Sequence, residues 1–288
     1  MVDLRQTKEW AEWLAATGWI IEKIKTQDGK FFYGFIKPMS FLGFSFMKLQ
    51  RFEKPIDWKQ LADVKKKHHV FWSVMEPKNE AVIPGILKAG YRLTRDPYLP
   101  MKTRVLDLTK SEKVLISEMS ENFRRIIKKS IKSKLPPKAD RQELKTISAG
   151  EFYGGGTRWT KSFILTRGQF DSLVKAFNKK PACRQAGVEF WALEKDGEIL
   201  SAIMLLFTPD ACFYYQTWTS EAGRKSSEHV VLTWETMRRA KKLKMKFYNF
   251  EGIQDSRFPL KKWGGFTEFK RRFGGYELEY PGSYLKWF

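Results

Sequence analysis

The spacing of apolar and polar positions changes repeatedly along the chain, and each change predicts an element. Residues 3–17 predict a short helix, and Trp19 to Lys25, Phe31 to Lys37 and Phe44 to Leu49 predict strands. Asp28-Gly29 and the stretch from Pro38 to Gly43 divide them, so the chain opens rich in hairpins. Val70 to Met75 predicts another strand, stopped at Glu76-Pro77 because the residue before a proline is driven into extended geometry. A helix is expected from about Ala81 to Gly90.

The segment TRVLDL at 103–108 predicts a strand leading into Thr109-Lys-Ser-Glu112, a Thr-x-x-Glu box able to cap a helix. Leu115, Met119, Phe123, Ile127 and Ile131 then recur every four residues as one apolar stripe. Arg124, Arg125, Lys128, Lys129 and Lys132 fall opposite, and Pro136-Pro137 ends the pattern. Further on, Gln169 to Asn178 and Ser227 to Leu243 predict helices. Glu189 to Leu193, Leu200 to Phe207, Ala211 to Thr217 and Phe247 to Phe250 predict strands. Strands and helices interleave throughout, which gives an α/β or α+β class with mixed sheets.

A length of 288 residues, 42% hydrophobic and 15% aromatic, suffices for about two compact units with real cores. No repeat period and no long linker marks the boundary. Charge changes the picture most. Lys plus Arg number 53 against 32 Asp plus Glu, a net +21, so a polyanion is the expected partner. The charge is clustered at Lys65-Lys66-Lys67, Arg124 to Lys134, Arg238 to Lys246 and Lys261 to Arg272. In the last cluster Trp263, Phe266, Phe269 and Phe273 alternate with cations, a mixture suited to an unpaired nucleotide whose base stacks while its phosphate meets a charge. A core edge flanked by surface charge has the same composition.

Other chemistries find little support. Cys183 and Cys212 show no metal-binding spacing, and their scarcity fits a reducing, intracellular compartment. His68, His69 and His229 are too few and too scattered for a predicted metal centre or nucleophile triad. No Walker or dinucleotide glycine motif occurs, and Gly154-Gly155-Gly156 does not supply one. The opening MVDLRQTKEWAEW is charged where a secretory leader needs an apolar run, and no stretch of about 18 apolar residues is present. The expectation is a cytoplasmic protein with no transmembrane segment.

Several segments together resemble the Fem family of tRNA-dependent aminoacyltransferases (FemA, FemB, FemX), which extend the stem peptide of peptidoglycan precursors. Tyr248-Asn-Phe-Glu-Gly-Ile253 resembles the family's Y-D-F-x-G-I, and Phe269-Lys270-Arg-Arg-Phe273-Gly274-Gly275 its F-K-x-x-F-G. Tyr280-Pro-Gly282 follows as it does there. Upstream, Asp107-Leu108 with Phe123-Arg124-Arg125-Ile-Ile127-Lys128-Lys129 resembles D-L then R-x-x-I-x-K, and Trp10 to Trp19 the tryptophan-rich opening. No long heptad segment is present, so the likeness is to the arm-free FemX layout.

The resemblance implies two acetyltransferase-like (GNAT-like) domains, 1–146 plus about 274–288 and 147–273. It implies that no coenzyme A and no other cofactor is used. The chain agrees, since Arg224-Lys-Ser-Ser227-Glu-His229 lacks the glycines of a pyrophosphate loop. It implies aminoacyl-tRNA and a UDP-linked or lipid-linked muropeptide as partners, with peripheral contact to an anionic membrane allowed by the charge. Carried over residue by residue, Lys270 stabilises the oxyanion, Phe269 stacks on the terminal adenine, and Arg271, Arg272 and Lys262 meet tRNA. Glu76 orients or deprotonates the acceptor amine. Tyr214, Tyr215, Trp218, Arg158 and Arg124 line the precursor channel. Taken without the resemblance, Lys270 reads as a surface charge, Glu76 as a strand-end charge and the tyrosines as core. Asn249 stands where the family has aspartate, Glu251 where glycine is frequent, and Leu14 or Ala15 where the opening segment has lysine. Two alternatives stay open: transfer to another amine acceptor, and RNA binding without catalysis.

Overall fold

The computed structural model describes residues 1–39, 43–132, 142–160, 165–178, 187–224, 227–259 and 264–288. The chain forms two mixed sheets. In chain order the helices are α1 (Lys8–Ala16), α2 (Trp58–Lys67), α3 (Ile83–Lys88), α4 (Glu112–Glu118), α5 (Glu121–Lys132), α6 (Ala149–Trp159), α7 (Arg167–Asn178), α8 (Glu221–Arg224), α9 (Glu228–Lys242) and α10 (Gly264–Arg271). The strands are β1 (Ile20–Lys25), β2 (Phe31–Met39), β3 (Phe44–Gln50), β4 (Val70–Glu76), β5 (Arg92–Thr94), β6 (Lys102–Asp107), β7 (Gln142–Thr146), β8 (Gly187–Lys195), β9 (Glu198–Phe207), β10 (Ala211–Thr219), β11 (Phe247–Gly252), β12 (Tyr276–Glu279) and β13 (Ser283–Trp287).

Two compact units result. One comprises Val2–Thr103, Gln254–Trp263 and Leu278–Phe288; the other comprises Met1, Arg104–Ile253 and Gly264–Glu277. Residue 146, the boundary expected from sequence, is the last residue of β7, a strand of the seven-stranded sheet. Each unit thus borrows a late segment of the chain.

The first unit holds a six-stranded sheet in the order β1-β2-β3-β4-β13-β5. Only β3 and β4 among its neighbouring pairs run parallel, and α2 makes the crossover between them. Asp57 starts α2 by accepting from the backbone N–H of Lys59 and Gln60, and Leu61 and Val64 are its buried face. Alternate strand residues Ile36, Met47, Leu49, Met75 and Tyr284 form the core beneath α2 and α3.

The second unit holds the order β12-β6-β11-β10-β9-β8-β7. Strand β9 is interior, between β10 and β8, and its run Leu200 to Phe207 is buried on both faces, which explains an apolar stretch without alternation. Leu115, Met119, Phe123 and Ile127 are buried against α9 and the sheet, as the four-residue stripe predicts. One long helix does not form, however. Met119 is extended, separating α4 from α5, and Ser120 accepts from the N–H of Phe123 to start the second helix. Thr109 is not the cap either: its hydroxyl donates to Asp107, and Ser111 caps α4 by accepting from Val114. Ile131, next to the last residue of α5, is exposed and ends the buried stripe. A complete capping box does occur at Ser148 and Glu151, opening α6, the helix built on the glycine run.

Candidate active site

Strands β10 and β11 run parallel and pair over three positions only, from Ala211↔Phe247 to Phe213↔Asn249. Beyond these β10 continues to Thr219 and β11 to Gly252, so the two strands part past the Phe213↔Asn249 pair. At this end of β11 the chain is shaped by side chains. Asn249 accepts from the N–H of Glu251 at 2.8 Å, and Glu251 takes a left-handed φ of 59°. That conformation favours glycine, which gives a physical reason why glycine suits this position.

Lys270, in the last turn of α10, meets this strand end. Its Nζ donates to the Gly252 carbonyl at 2.6 Å. Burial pushes the ammonium down from its ordinary 10.5 to about 8, while the nearby Glu251 carboxylate opposes the fall. Lys270 therefore stays mainly cationic at neutral pH. An ammonium has three donors, and one is committed to Gly252, so the others can serve a developing oxyanion.

Phe269 is half-buried and wedged among rings, 5.7 Å from Phe123, 5.3 Å from Phe273 and 5.2 Å from His229. The most exposed large hydrophobic residue among those described is its neighbour Phe266, at 61%. Phe266 therefore presents the accessible ring of α10. Arg271 and Arg272 are exposed and paired with Glu277 and Glu268 at 2.7 Å and 3.1 Å, solvated contacts that contribute little to stability. Lys262 lies outside the described residues.

Behind Phe269, His229 is hydrogen-bonded at both ring nitrogens. Its Nε2 lies 2.6 Å from the Tyr214 hydroxyl, and its Nδ1 makes a short hydrogen bond with Ser201 Oγ. Burial lowers its pKa from 6.5 to about 4, so the ring is neutral at pH 7. The same burial pushes the Tyr214 hydroxyl up, beyond its ordinary range. A single histidine in a helical segment carried no signal of this, because Ser201 and Tyr214 reach it from two other strands.

Tyr214, Tyr215 and Trp218 are close in sequence but do not share a face. A register shift between Tyr214 and Gln216 marks a bulge in β10. It leaves Tyr214 in the core with α5 and α9 and turns Trp218 toward α6, where the indole Nε1 donates to the Phe152 carbonyl at 3.0 Å. A Cβ on Gly155 would fall 2.1 Å from the Trp218 ring, so the glycine run lets α6 rest on that indole. Tyr214 and Trp218 are buried, and Tyr215 is half-buried. Arg158 is exposed on α6 with its guanidinium 4.9 Å from the Trp159 ring, and Arg124 donates to the Ser117 carbonyl at 3.2 Å.

Glu76 belongs to the other unit. It is fully buried at the end of β4, and its carboxylate accepts from Gln50 Nε2 at 2.6 Å, Tyr98 N at 2.7 Å and Leu99 N at 3.0 Å. Three donors on two oxygens make it the anchor of the 98–99 turn. Among the described residues, no group of His, Cys, Asp and Glu is placed to hold a metal, and no helix is long and apolar enough to cross a membrane.

Comparison with known proteins agrees with this architecture. The acetyltransferase (GNAT) domain family matches residues 156–271. A crystal structure of FemX superposes with a TM-score of 0.78 at 14% identity, covering 99% of this chain and 92% of that one. The C-terminal domain of an Agrobacterium fabrum protein described as a lysylphosphatidylglycerol synthetase gives 0.59 at 11% identity, covering 98% and 88%. A tandem GNAT protein from the clavulanic acid biosynthesis pathway gives 0.56 at 9% identity, covering 94% and 83%. A comparison with curated proteins gives no match. At these identities the likeness is one of fold: mixed α/β sheets of the GNAT type, as found in tandem GNAT proteins.

Proposed function

We propose that this protein is a cytoplasmic aminoacyltransferase that moves an amino acid from charged tRNA to the amine of a peptidoglycan stem peptide, UDP-linked or lipid-linked. The observation that carries the reading is the half-buried Lys270 ammonium held by the Gly252 carbonyl where β10 and β11 part. In this reaction the neutral acceptor amine attacks the ester carbonyl of the aminoacyl-tRNA. A C–N bond forms, the carbonyl oxygen becomes an oxyanion, and collapse breaks the ester C–O bond. The tRNA hydroxyl leaves with a proton that the amine has lost. Lys270 offers its remaining N–H donors to the oxyanion, where a fixed cation in a partly dry site is most effective. No metal or cofactor is required by these steps.

The positive surface and the aromatic residues of α10 supply what a single-stranded RNA end needs. We place the terminal adenine on α10, with the exposed Phe266 offering a stacking face and Phe269 fixing the turn that carries Lys270. Arg271 and Arg272 lie on the same helix end, where they can exchange their carboxylate partners for phosphates. The fold shared with FemX supports the choice of donor and acceptor class.

Mass spectrometry of a UDP-linked muropeptide incubated with the protein and a mixture of charged tRNAs tests the proposal. A mass gain of one aminoacyl residue, dependent on charged tRNA, is expected. Gain by a different amine in place of the muropeptide would move the activity to another acceptor. Tight RNA binding with no acceptor modified would make the protein a binding module.

A further inference from the structure

One end of the six-stranded sheet carries an aromatic rim. The registers Met39↔Phe44, Ser45↔Val70 and Trp72↔Trp287 bring the end of β2, the starts of β3 and β4 and the end of β13 to the same place. There Phe71 is 42% exposed, Trp287 58% and Phe288 46%. Phe71 and Trp287 belong to one ring cluster with Phe44 and Trp72, while the Phe288 ring lies 6.3 Å from Tyr91 on the side of α2. Phe71 lies 5.6 Å from Trp287 and 4.9 Å from Phe44, and Trp287 lies 5.3 Å from Trp72. The N–H of Phe288 donates to the Phe71 carbonyl at 2.7 Å, so sheet pairing holds the exposed rings in position.

Cations flank the Phe288 side of this rim. Lys65, Lys66 and Lys67 form the last turn of α2, and the Lys65 ammonium lies 4.1 Å from the Phe288 ring centre. Lys286 donates to the Ala89 carbonyl at 2.7 Å, which brings the end of α3, with its exposed Leu87 and Lys88, to the same rim. Glu22 pairs with Lys67 and His68 and offsets only part of this charge. Scattered exposed apolar residues are ordinary, but a contiguous aromatic patch bordered by lysines marks a contact surface.

We propose that this rim docks on an anionic lipid bilayer, with Phe71, Trp287 and Phe288 entering the headgroup region and the lysines of α2 and α3 meeting lipid phosphates. Aromatic rings with polar neighbours favour the membrane interface, and juxtaposed lysines are drawn to its negative surface. The packing of the rings favours lipid over nucleic acid. A stacked base needs an open ring face, whereas these rings turn faces and edges toward one another and Phe288 already has Lys65 and Lys286 over it. The rim belongs to one unit and does not depend on the transfer chemistry.

Co-sedimentation of the full chain with vesicles tests the assignment. Binding to vesicles of equal phosphatidylglycerol and phosphatidylcholine should exceed binding to phosphatidylcholine alone, and Phe71→Ser with Trp287→Ser should weaken it about tenfold or more. Binding of a single-stranded oligoribonucleotide should not change. Wild-type protein that ignores anionic vesicles, or a double variant that binds them equally well, overturns the proposal. So does a double variant that keeps the vesicles and loses the oligonucleotide. Should that variant fail to fold, Lys66→Glu with Lys88→Glu, at two exposed positions, gives the same reading: loss on anionic vesicles is expected, and retention overturns it.

Discussion

Lys270 donates to the carbonyl of Gly252 at 2.6 Å, across the point where a helix late in the chain meets the end of a parallel strand. The bond uses a carbonyl that the parting of β10 and β11 leaves outside their ladder, and it fixes a cation whose burial has lowered its pKa to about 8. Position and charge state thus have one cause. Deep burial alone would neutralise the lysine, and full exposure would leave it hydrated and mobile.

Glu251 tunes that lysine. Its carboxylate raises the Lys270 pKa against the effect of burial, and its backbone sits at φ 59°, where glycine is favoured. Glu251→Gly should stabilise the fold by about 1 kcal/mol through relief of the left-handed strain. It should also move the alkaline limb of the pH–rate profile to lower pH, because the protonated lysine loses its neighbour. Thermal melting and rate measurements across pH 6 to 10 check both parts.

Phe266 and Phe269 should separate by readout. Phe266→Ala removes an exposed ring and should leave the melting temperature unchanged while raising KM for charged tRNA by roughly 5- to 100-fold, the range for one lost stacking contact. Phe269→Ala opens a space among Phe123, Phe273 and His229 and should lower stability by about 2–4 kcal/mol. Equal KM effects with equal melting would show that both rings only fill space.

His229 makes the protein acid-sensitive. Its folded pKa of about 4 lies below the ordinary 6.5, so between those values the unfolded chain binds a proton that the folded chain refuses. Stability from this group is complete above pH 6.5 and is lost as pH falls toward 4, by on the order of 3 kcal/mol. Denaturant titrations at pH 7 and 4.5 should show a smaller loss for His229→Gln than for the natural chain. Identical losses would mean that His229 is protonated in the fold.

Glu76→Gln separates an anchoring carboxylate from a catalytic one. The amide can accept on one atom only, and its NH2 must face a donor from Gln50 or from the 98–99 backbone. A loss of about 1–3 kcal/mol is expected in thermal melts, with any fall in rate following the loss of fold. Unchanged melting with a lost rate would assign Glu76 to the chemistry.

Much of this fold is legible in the sequence, and the gaps have physical origins. Strand β9 and the Leu115 to Ile127 stripe are found because burial imposes a period that apolar residues report directly. Helix α6 is hidden because three glycines argue against a helix, and only contact with Trp218, distant in sequence, makes Gly155 necessary. The division of α4 from α5 turns on the conformation of one residue, Met119, which the stripe passes over without interruption. Lys270 and Phe269 are singled out by the family resemblance alone, and their roles stand as proposals. The bulge that sends Tyr214 and Trp218 to opposite faces is not legible, since strand alternation alone places them together.

The central claim is that Lys270 stabilises the oxyanion of aminoacyl transfer, and single-turnover rates of natural and Lys270→Ala protein with charged tRNA and muropeptide test it most directly. The variant should be slower by about 10²–10³-fold with KM little changed, and the natural protein should lose rate as pH rises through about 8. A variant that transfers within a few-fold of the natural rate, with the same pH profile, would contradict it.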